Sequence, residues 1–209
     1  MTLVVQPTKI VCIGRNYAAH AKELGHEVPA APLLFLKAPS ALLAPNAAIR
    51  LPPQSARVEH EAEIGVVIGR RACEVDEAQA MEYVAGFTCV NDVTARDLQK
   101  SDGQWSRAKG FDTFCPVGPF VKADLDWTAF EVICRVNGQV RQHGHARDMI
   151  FPIPHLVSYI SHQMTLEPGD LIATGTPEGV GPLVPGDLVE VEIPGLGLLA
   201  NPVTRKATA

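Results

Sequence analysis

The sequence predicts a mainly β protein of the α+β class, rich in turns and with only a few short helices. Three observations carry this. Glycine and proline, 17 of each in 209 residues, together exceed 16% of the chain, against about 12% in average usage, and so many punctuators leave little room for long helices. Asn137-Gly138 sits between two short strand-like runs and marks a tight hairpin. Finally, Glu167-Pro168-Gly169-Asp170-Leu171-Ile172 is echoed by Val184-Pro185-Gly186-Asp187-Leu188-Val189. Each copy reads as a Pro-Gly type II turn that feeds a strand, the two strands belonging to one sheet system.

Along the chain, Lys9 to Ile13 reads as a strand ending at Gly14. Asn16 is placed to cap a helix from Tyr17 to Leu24, with Gly25 stopping it. A Pro- and Ala-rich connection over 28–53 holds a strand at Leu33 to Lys37. Residues 59–68, Glu-His-Glu-Ala-Glu-Ile-Gly-Val-Val-Ile, form a strand whose first half is charged and whose second half is buried on both faces. A short helix at Asp76 to Met81 precedes a strand at Gly86 to Asn91. The polar stretch from Leu98 to Gly110 reads as a loop, and strands follow at 115–121, 130–137 and 139–143. Pro154 to Gln163 is helical, with proline in its first turn.

Charge and cysteine usage exclude several classes of function. The chain has 18 basic and 23 acidic residues, a net charge of −5, and no basic cluster interleaved with aromatics, so nucleic acid is not an expected partner. Its five cysteines (Cys12, Cys73, Cys89, Cys115 and Cys134) contain no Cys-x-x-Cys pair, which argues against a zinc ribbon or redox dithiol. Reduced thiols with apolar neighbours suit the cytoplasm. The first ten residues lack the pattern of a signal peptide, and the stretch from Pro32 to Pro45 is broken by Lys37 and three prolines, so no membrane span is expected. There is no Gly-x-Ser-x-Gly elbow and no Gly-x-Gly-x-x-Gly.

Several acidic and basic side chains are candidates for chemistry. In a strand, Glu61 and Glu63 point to one face about 6.5–7 Å apart, and two unit charges at about 6 Å repel by roughly 3 kcal/mol at an effective dielectric of 20. A cation between them relieves this, and so does solvation of the strand end. Asp92 follows the next strand as a possible third oxygen ligand for Mg²⁺ or Mn²⁺, or as a turn residue. His20 and Glu23, three apart on a helix, form either a surface pair or an imidazole whose basicity and tautomer a carboxylate sets. Lys109 is either a solvated loop lysine or positive charge for a developing oxyanion. His143-Gly144-His145 is a rival metal site with no evident third ligand.

Taken in order, five segments resemble the fumarylacetoacetate hydrolase family over nearly the whole chain. They are Gly14-Arg15-Asn16-Tyr17 with His20, His60-Glu61-Ala62-Glu63, Asn91-Asp92-Val93-Thr94-Ala95-Arg96-Asp97, Ala108-Lys109 before Cys115-Pro116, and Thr174-Gly175-Thr176-Pro177-Glu178-Gly179-Val180-Gly181. The chain's length is most similar to that of the short acylpyruvase and oxaloacetate decarboxylase branch. The resemblance implies a mixed β-sandwich or roll core and one catalytic unit over 1–209, usually in a homodimer. Within it, 1–50 forms an N-terminal segment with a lid helix and 51–205 the β-rich core. It also implies a divalent cation, Mg²⁺ first and Mn²⁺ or Ca²⁺ as alternatives, held by Glu61, Glu63 and Asp92, with the His20–Glu23 pair acting on water. Longer members carry a further aspartate ligand where this chain has Ile13 and Gly14, and water is expected in its stead.

The implied reaction is hydrolysis of a C–C bond in acylpyruvate- or fumarylpyruvate-type 2,4-dioxo acids. The acid chelates the metal through its carboxylate and 2-oxo oxygens, and His20, oriented by Glu23, deprotonates water for attack on the distal carbonyl. Cleavage leaves a metal-bound pyruvate enolate, stabilised also by Lys109. Arg15, Gln99 and Thr176 are candidates for orienting the substrate. The same enolate arises when oxaloacetate loses carbon dioxide, and reprotonation of a dienolate gives a 2-hydroxyhepta-2,4-diene-1,7-dioate isomerase. The 14–25 segment and the Leu98 to Gly110 loop are expected to order on substrate binding.

Overall fold

The structure, a computed structural model, describes residues 6–118, 121–122 and 125–205. The chain is mainly β. A mixed six-stranded sheet runs in the spatial order Val121–Lys122, Val84–Asn91, Ala62–Ile68, Leu171–Ala173, Ile10–Gly14 and Leu33–Lys37. A five-stranded sheet, ordered Gln139–His145, Glu131–Val136, Leu188–Ile193, Gly197–Arg205 and Ile49–Leu51, packs across it to make a sandwich. Val11 and Ile13 share the main core with Val132, Val189 and Val191 of the second sheet. Ile10 and Cys12, pointing the opposite way, are covered by Ala41, Cys115 and Val117. Burial of both faces explains the unbroken apolar runs Ile-Val-Cys-Ile and Ile-Gly-Val-Val-Ile.

Turn chemistry places the strands as the sequence indicates. Asn137 (φ 53°) and Gly138 (φ 76°) are both left-handed and join Val136 to Gln139 in register. In both Pro-Gly turns the aspartate carboxylate accepts from the backbone three residues earlier, Asp170 from Glu167 N at 2.8 Å and Asp187 from Val184 N at 2.8 Å. The echo is therefore conformational, but its strands do not share a sheet: Leu171–Ala173 enters the six-stranded sheet and Leu188–Ile193 the five-stranded one.

Other elements depart from the expectation. Helix α1 covers Ala18–Glu23 and closes as expected at Gly25, whose N–H reaches Lys22 O while that of His26 reaches Ala21 O. Asn16 does not cap it. Its amide instead bonds to Phe151 O and Thr174 O and accepts from Phe151 N, so its side chain ties three segments together. The 59–68 strand is interrupted at Glu61. Val58–His60 pairs with Gly181–Pro182 and Thr94–Ala95, whereas Ala62–Ile68 belongs to the large sheet, so the chain changes sheets at this residue.

Leu98 to Gly110 is not a loop but two helices, α2 (Arg96–Asp102) and α3 (Ser106–Lys109), separated by a left-handed Gly103. Its polar sequence hides them because only Leu98 and the small Ala108 pack on the main core while Asp97 is held by Ser55 and the Ala56 N–H. Residues Glu77–Tyr83 form a 3₁₀ helix, and α4 covers Ile153–Gln163. Only Cys115–Pro116 and Val121–Lys122 of the 115–121 strand are extended pairs, and residues 119–120 lie outside the described ones. No helix among the described residues is long and apolar enough to cross a membrane. The first five residues, on which part of the signal-peptide expectation rests, also lie outside the described range.

Candidate metal centre and catalytic cleft

The sheet change at Glu61 builds the site. Freed from the ladder, the Glu61 N–H donates to Asn91 Oδ1 (3.0 Å) and the Ala62 N–H to Gln142 Oε1 (3.0 Å), while the Asp92 N–H returns to Glu61 O (2.8 Å). Glu61, Glu63 and Asp92 thereby converge, each offering an oxygen within 4.8 Å of the others, and none is more than 5% exposed. Glu61 and Glu63 line a cleft of about 590 Å³ that is also lined by Arg15, His20, Gln99, Lys109 and Thr176. Nine of the residues singled out in the sequence therefore lie at or beside one cleft, Asp92 behind Glu61 and Glu63, whereas His143 and His145 do not line it.

Charge around the floor is nearly balanced by protein cations. Lys109 Nζ bridges Glu61 Oε2 (2.8 Å) and Asp92 Oδ2, and Arg96 donates to Glu61 Oε1 and Glu59 Oε2, both at 2.6 Å. Lys37, fully buried, holds Asp92 Oδ1 and Val93 O. Burial alone would raise the Glu61 pKa, but Lys109 and Arg96 outweigh it and hold the carboxyl well below its usual range. Lys109 is likewise kept charged: burial opposes this, and Asp92 and Glu61 prevail.

Glu63 is the exception. Burial first, then the neighbouring Asp92 and Glu61, push its pKa well above the ordinary value, against a backbone hydrogen bond from Gly175 N at 2.8 Å. Of the four buried acids, Glu59 pairs with Arg57 and Arg96, Glu61 with Arg96 and Lys109, and Asp92 with Lys37 and Lys109, whereas Glu63 is in no ion pair among the described residues. Three convergent carboxylates, one of them without a protein cation of its own, fit a hard divalent cation such as Mg²⁺, Mn²⁺ or Ca²⁺.

In the same cleft lining, His20 Nδ1 lies 3.3 Å from Glu23 Oε2, and the residue is 5% exposed. The Glu23 carboxylate is anchored by the Gly179 N–H at 3.1 and 3.2 Å. Gly179 is left-handed (φ +94°), and a Cβ there would fall 2.1 Å from Arg141 O, so a side chain at this position would displace the anchor. Arg15 also has a left-handed backbone (φ 59°), strain of the kind that collects at functional sites. Gln99 Oε1 accepts from Arg96, which leaves its amide N–H₂ for the cleft. The Thr176 hydroxyl donates to Ala62 O and accepts from Gln142, so it can offer a ligand a lone pair but not its proton. His143 instead pairs with Glu131 (2.8 Å), and with His145 its rings stand 5.3 Å apart on the strand surface.

Sequence reasoning passed over Lys37, Glu59, Arg96 and Gln142 as site residues. Lys37 did carry a signal, a lone cation in an otherwise apolar strand. Gln142 carried none: it belongs to the second sheet and reaches His60, Ala62, Thr176 and Pro177 across the sandwich.

Comparison with known proteins accords with this geometry. The family described as fumarylacetoacetate (FAA) hydrolase, C-terminal, matches residues 9–204. The oxaloacetate decarboxylase of Dictyostelium discoideum is 48% identical over 195 residues, spanning 90% of this chain and 89% of that protein. The oxaloacetate tautomerase of Arabidopsis thaliana is 46% identical over 207 residues, 96% of this chain and 93% of that protein. The crystal structure of 2-hydroxyhepta-2,4-diene-1,7-dioate isomerase from Mycobacterium marinum superposes with a TM-score of 0.90 at 48% identity, covering 98% of this chain and 77% of that one. Sequence, fold and relatives agree: the chain belongs to the fumarylacetoacetate hydrolase family.

Proposed function

We propose that this chain is a divalent-metal-dependent enzyme of 2-oxo acids that form an enolate, and that it hydrolyses a C–C bond in 2,4-dioxo acids of the acylpyruvate or fumarylpyruvate type. The observation that carries this is the His20–Glu23 pair facing the same cleft as Glu61, Glu63 and Asp92. When bound, the cation supplies Lewis acidity toward the substrate's carboxylate and 2-oxo oxygens. His20, its Nδ1 engaged by Glu23, has its second ring nitrogen left to take a proton from water. The hydroxide adds to the distal carbonyl, the C3–C4 bond breaks with its electrons moving onto C3, and the acyl part leaves as a carboxylic acid. Protonation at C3 then gives pyruvate. Lys109 carries positive charge beside the developing enolate, and Arg15 and Gln99 orient the substrate.

A second reading keeps the site and changes the outcome: decarboxylation or tautomerisation of oxaloacetate, or isomerisation of 2-hydroxyhepta-2,4-diene-1,7-dioate. The names of the three relatives favour it, and the cleft's Arg15, Arg57 and Lys100 offer cations to the second carboxylate that these acids share with fumarylpyruvate. Assay of acetylpyruvate, fumarylpyruvate, oxaloacetate and the dienedioate with Mg²⁺ and with Mn²⁺ separates the two by product. Hydrolysis products from a dioxo acid support the first, and turnover confined to the other two acids rejects it. One catalytic unit per chain and a homodimer belong to the same proposal, which light scattering checks.

A further inference from the structure

Lys109 is tied to Trp105 in two ways, through the backbone and through one intervening ring. Trp105 immediately precedes α3, and its carbonyl accepts the Lys109 N–H at 2.9 Å. Its ring meets Phe35 edge to face, with centroids 5.1 Å apart, and the Phe35 face carries Lys109 Nζ at 5.0 Å. The outer edge of the indole rests on Gly14, at the end of the strand that leads into Arg15 and α1. A Cβ on Gly14 would stand 2.8 Å from Trp105 Cζ3 and 3.1 Å from Cη2. Gly14 has no left-handed φ, so what crowds a side chain there is its neighbours, the indole first and Leu33 Cδ2 at 3.2 Å after it, and not the backbone.

We propose that Trp105, seated in the notch at Gly14, is a positioning residue that locks the α2–α3 segment onto the end of the first strand and so fixes the Lys109 ammonium between Glu61 and Asp92. The claim rests on reading the cleft as the reaction site only for its consequence in turnover; the lock itself is a packing statement. The atoms that meet Gly14 are the outermost of the indole, atoms a phenyl ring lacks. Gly14→Ala is therefore damaging beside Trp105 and better tolerated beside a phenylalanine, where only the flexible Leu33 side chain has to give.

The test is a double-mutant cycle of Gly14→Ala and Trp105→Phe, read in three ways. With Trp127→Phe in the background, Trp105 is the sole tryptophan of the two in the chain, and Gly14→Ala shifts its emission to the red as the ring leaves the notch. Calorimetry with Mn²⁺ shows Gly14→Ala binding the ion several-fold more tightly, as Lys109→Met does, because a cation has left two of the ligands. On any oxo acid turned over, Gly14→Ala lowers kcat by roughly tenfold or more with KM changed less, since a small misplacement of a charged group is costly. Combining it with Trp105→Phe recovers most of the affinity and rate difference. An unshifted emission, or Gly14→Ala effects of equal size in both backgrounds, overturns the lock. The emission and Mn²⁺ readings need no substrate, so absent turnover with both intact counts against the proposed function and not the lock.

Discussion

His20 and Glu63 both line the cleft and make opposite demands on protons. His20→Ala removes the group proposed to take a proton from water, and a loss of roughly 10²- to 10⁴-fold in hydrolytic kcat is expected; hydrolysis at the wild-type rate would remove His20 from the mechanism. Glu63 has a raised pKa in the metal-free fold, so ion binding must displace its proton. Divalent affinity therefore rises with pH until that proton is gone, and calorimetry in buffers of different ionisation enthalpy would count the proton released. The sign for stability follows. A carboxyl whose folded pKa lies above its unfolded value destabilises the metal-free chain as pH rises from the unfolded pKa through the folded one. The gain in Tm on adding Mg²⁺ should accordingly be larger at pH 8 than at pH 5.5. Among the thiols, burial pushes Cys89, Cys115 and Cys134 up to about 12 and raises Cys12 well above its usual value, while Cys73 is exposed. One equivalent of alkylating reagent should enter the native chain at pH 7.5, at Cys73.

At the level of elements, what the sequence revealed depended on whether one residue's neighbours along the chain were also its neighbours in space. Strands with an apolar run, Ile10–Gly14 and Ala62–Ile68, were legible because burial on both faces leaves a local mark. The Asn-Gly and Pro-Gly turns were legible because φ > 0 demands particular residues. Helix α2 was not, since its anchors are Asp97 on Ser55 and Arg96 on Glu59, contacts 37 to 42 residues distant. The interruption at Glu61 was equally hidden, because its freed N–H groups are satisfied by Asn91 and Gln142 from other strands. The segments that close the cleft, 14–25 and α2–α3, are short and partly exposed, so hydrogen exchange there should slow when oxalate is added with Mg²⁺. Unchanged protection in both segments would rule out closure on ligand binding.

For the whole molecule, the two sheets do different work. The six-stranded sheet delivers Glu63 and, at its strand ends, Glu61, Asp92 and Arg15; the five-stranded sheet sends Gln142 through to hold the first of these strands in place. A few of the glycines belong to this arrangement, Gly14 in the cleft lining and Gly175 and Gly179 holding Glu63 and Glu23 by their N–H groups, and part of the acidic surplus is consumed by the buried floor. The candidate ligands were legible because motif order can be read along the chain and Lys37 left a mark as a lone cation in an apolar strand, whereas the pairing of Arg96 with Glu59 and Glu61 emerges only from folding. The most direct measurement is pyruvate or other product release from a panel of 2-oxo acids, before and after chelation and with Mg²⁺ restored. Turnover of at least one acid, abolished by chelator, recovered with Mg²⁺ and lost with the ion affinity in Glu61→Gln, is the predicted result. Turnover indifferent to chelation, or wild-type ion affinity in Glu61→Gln, would contradict the assignment of these carboxylates to a metal-dependent enolate chemistry.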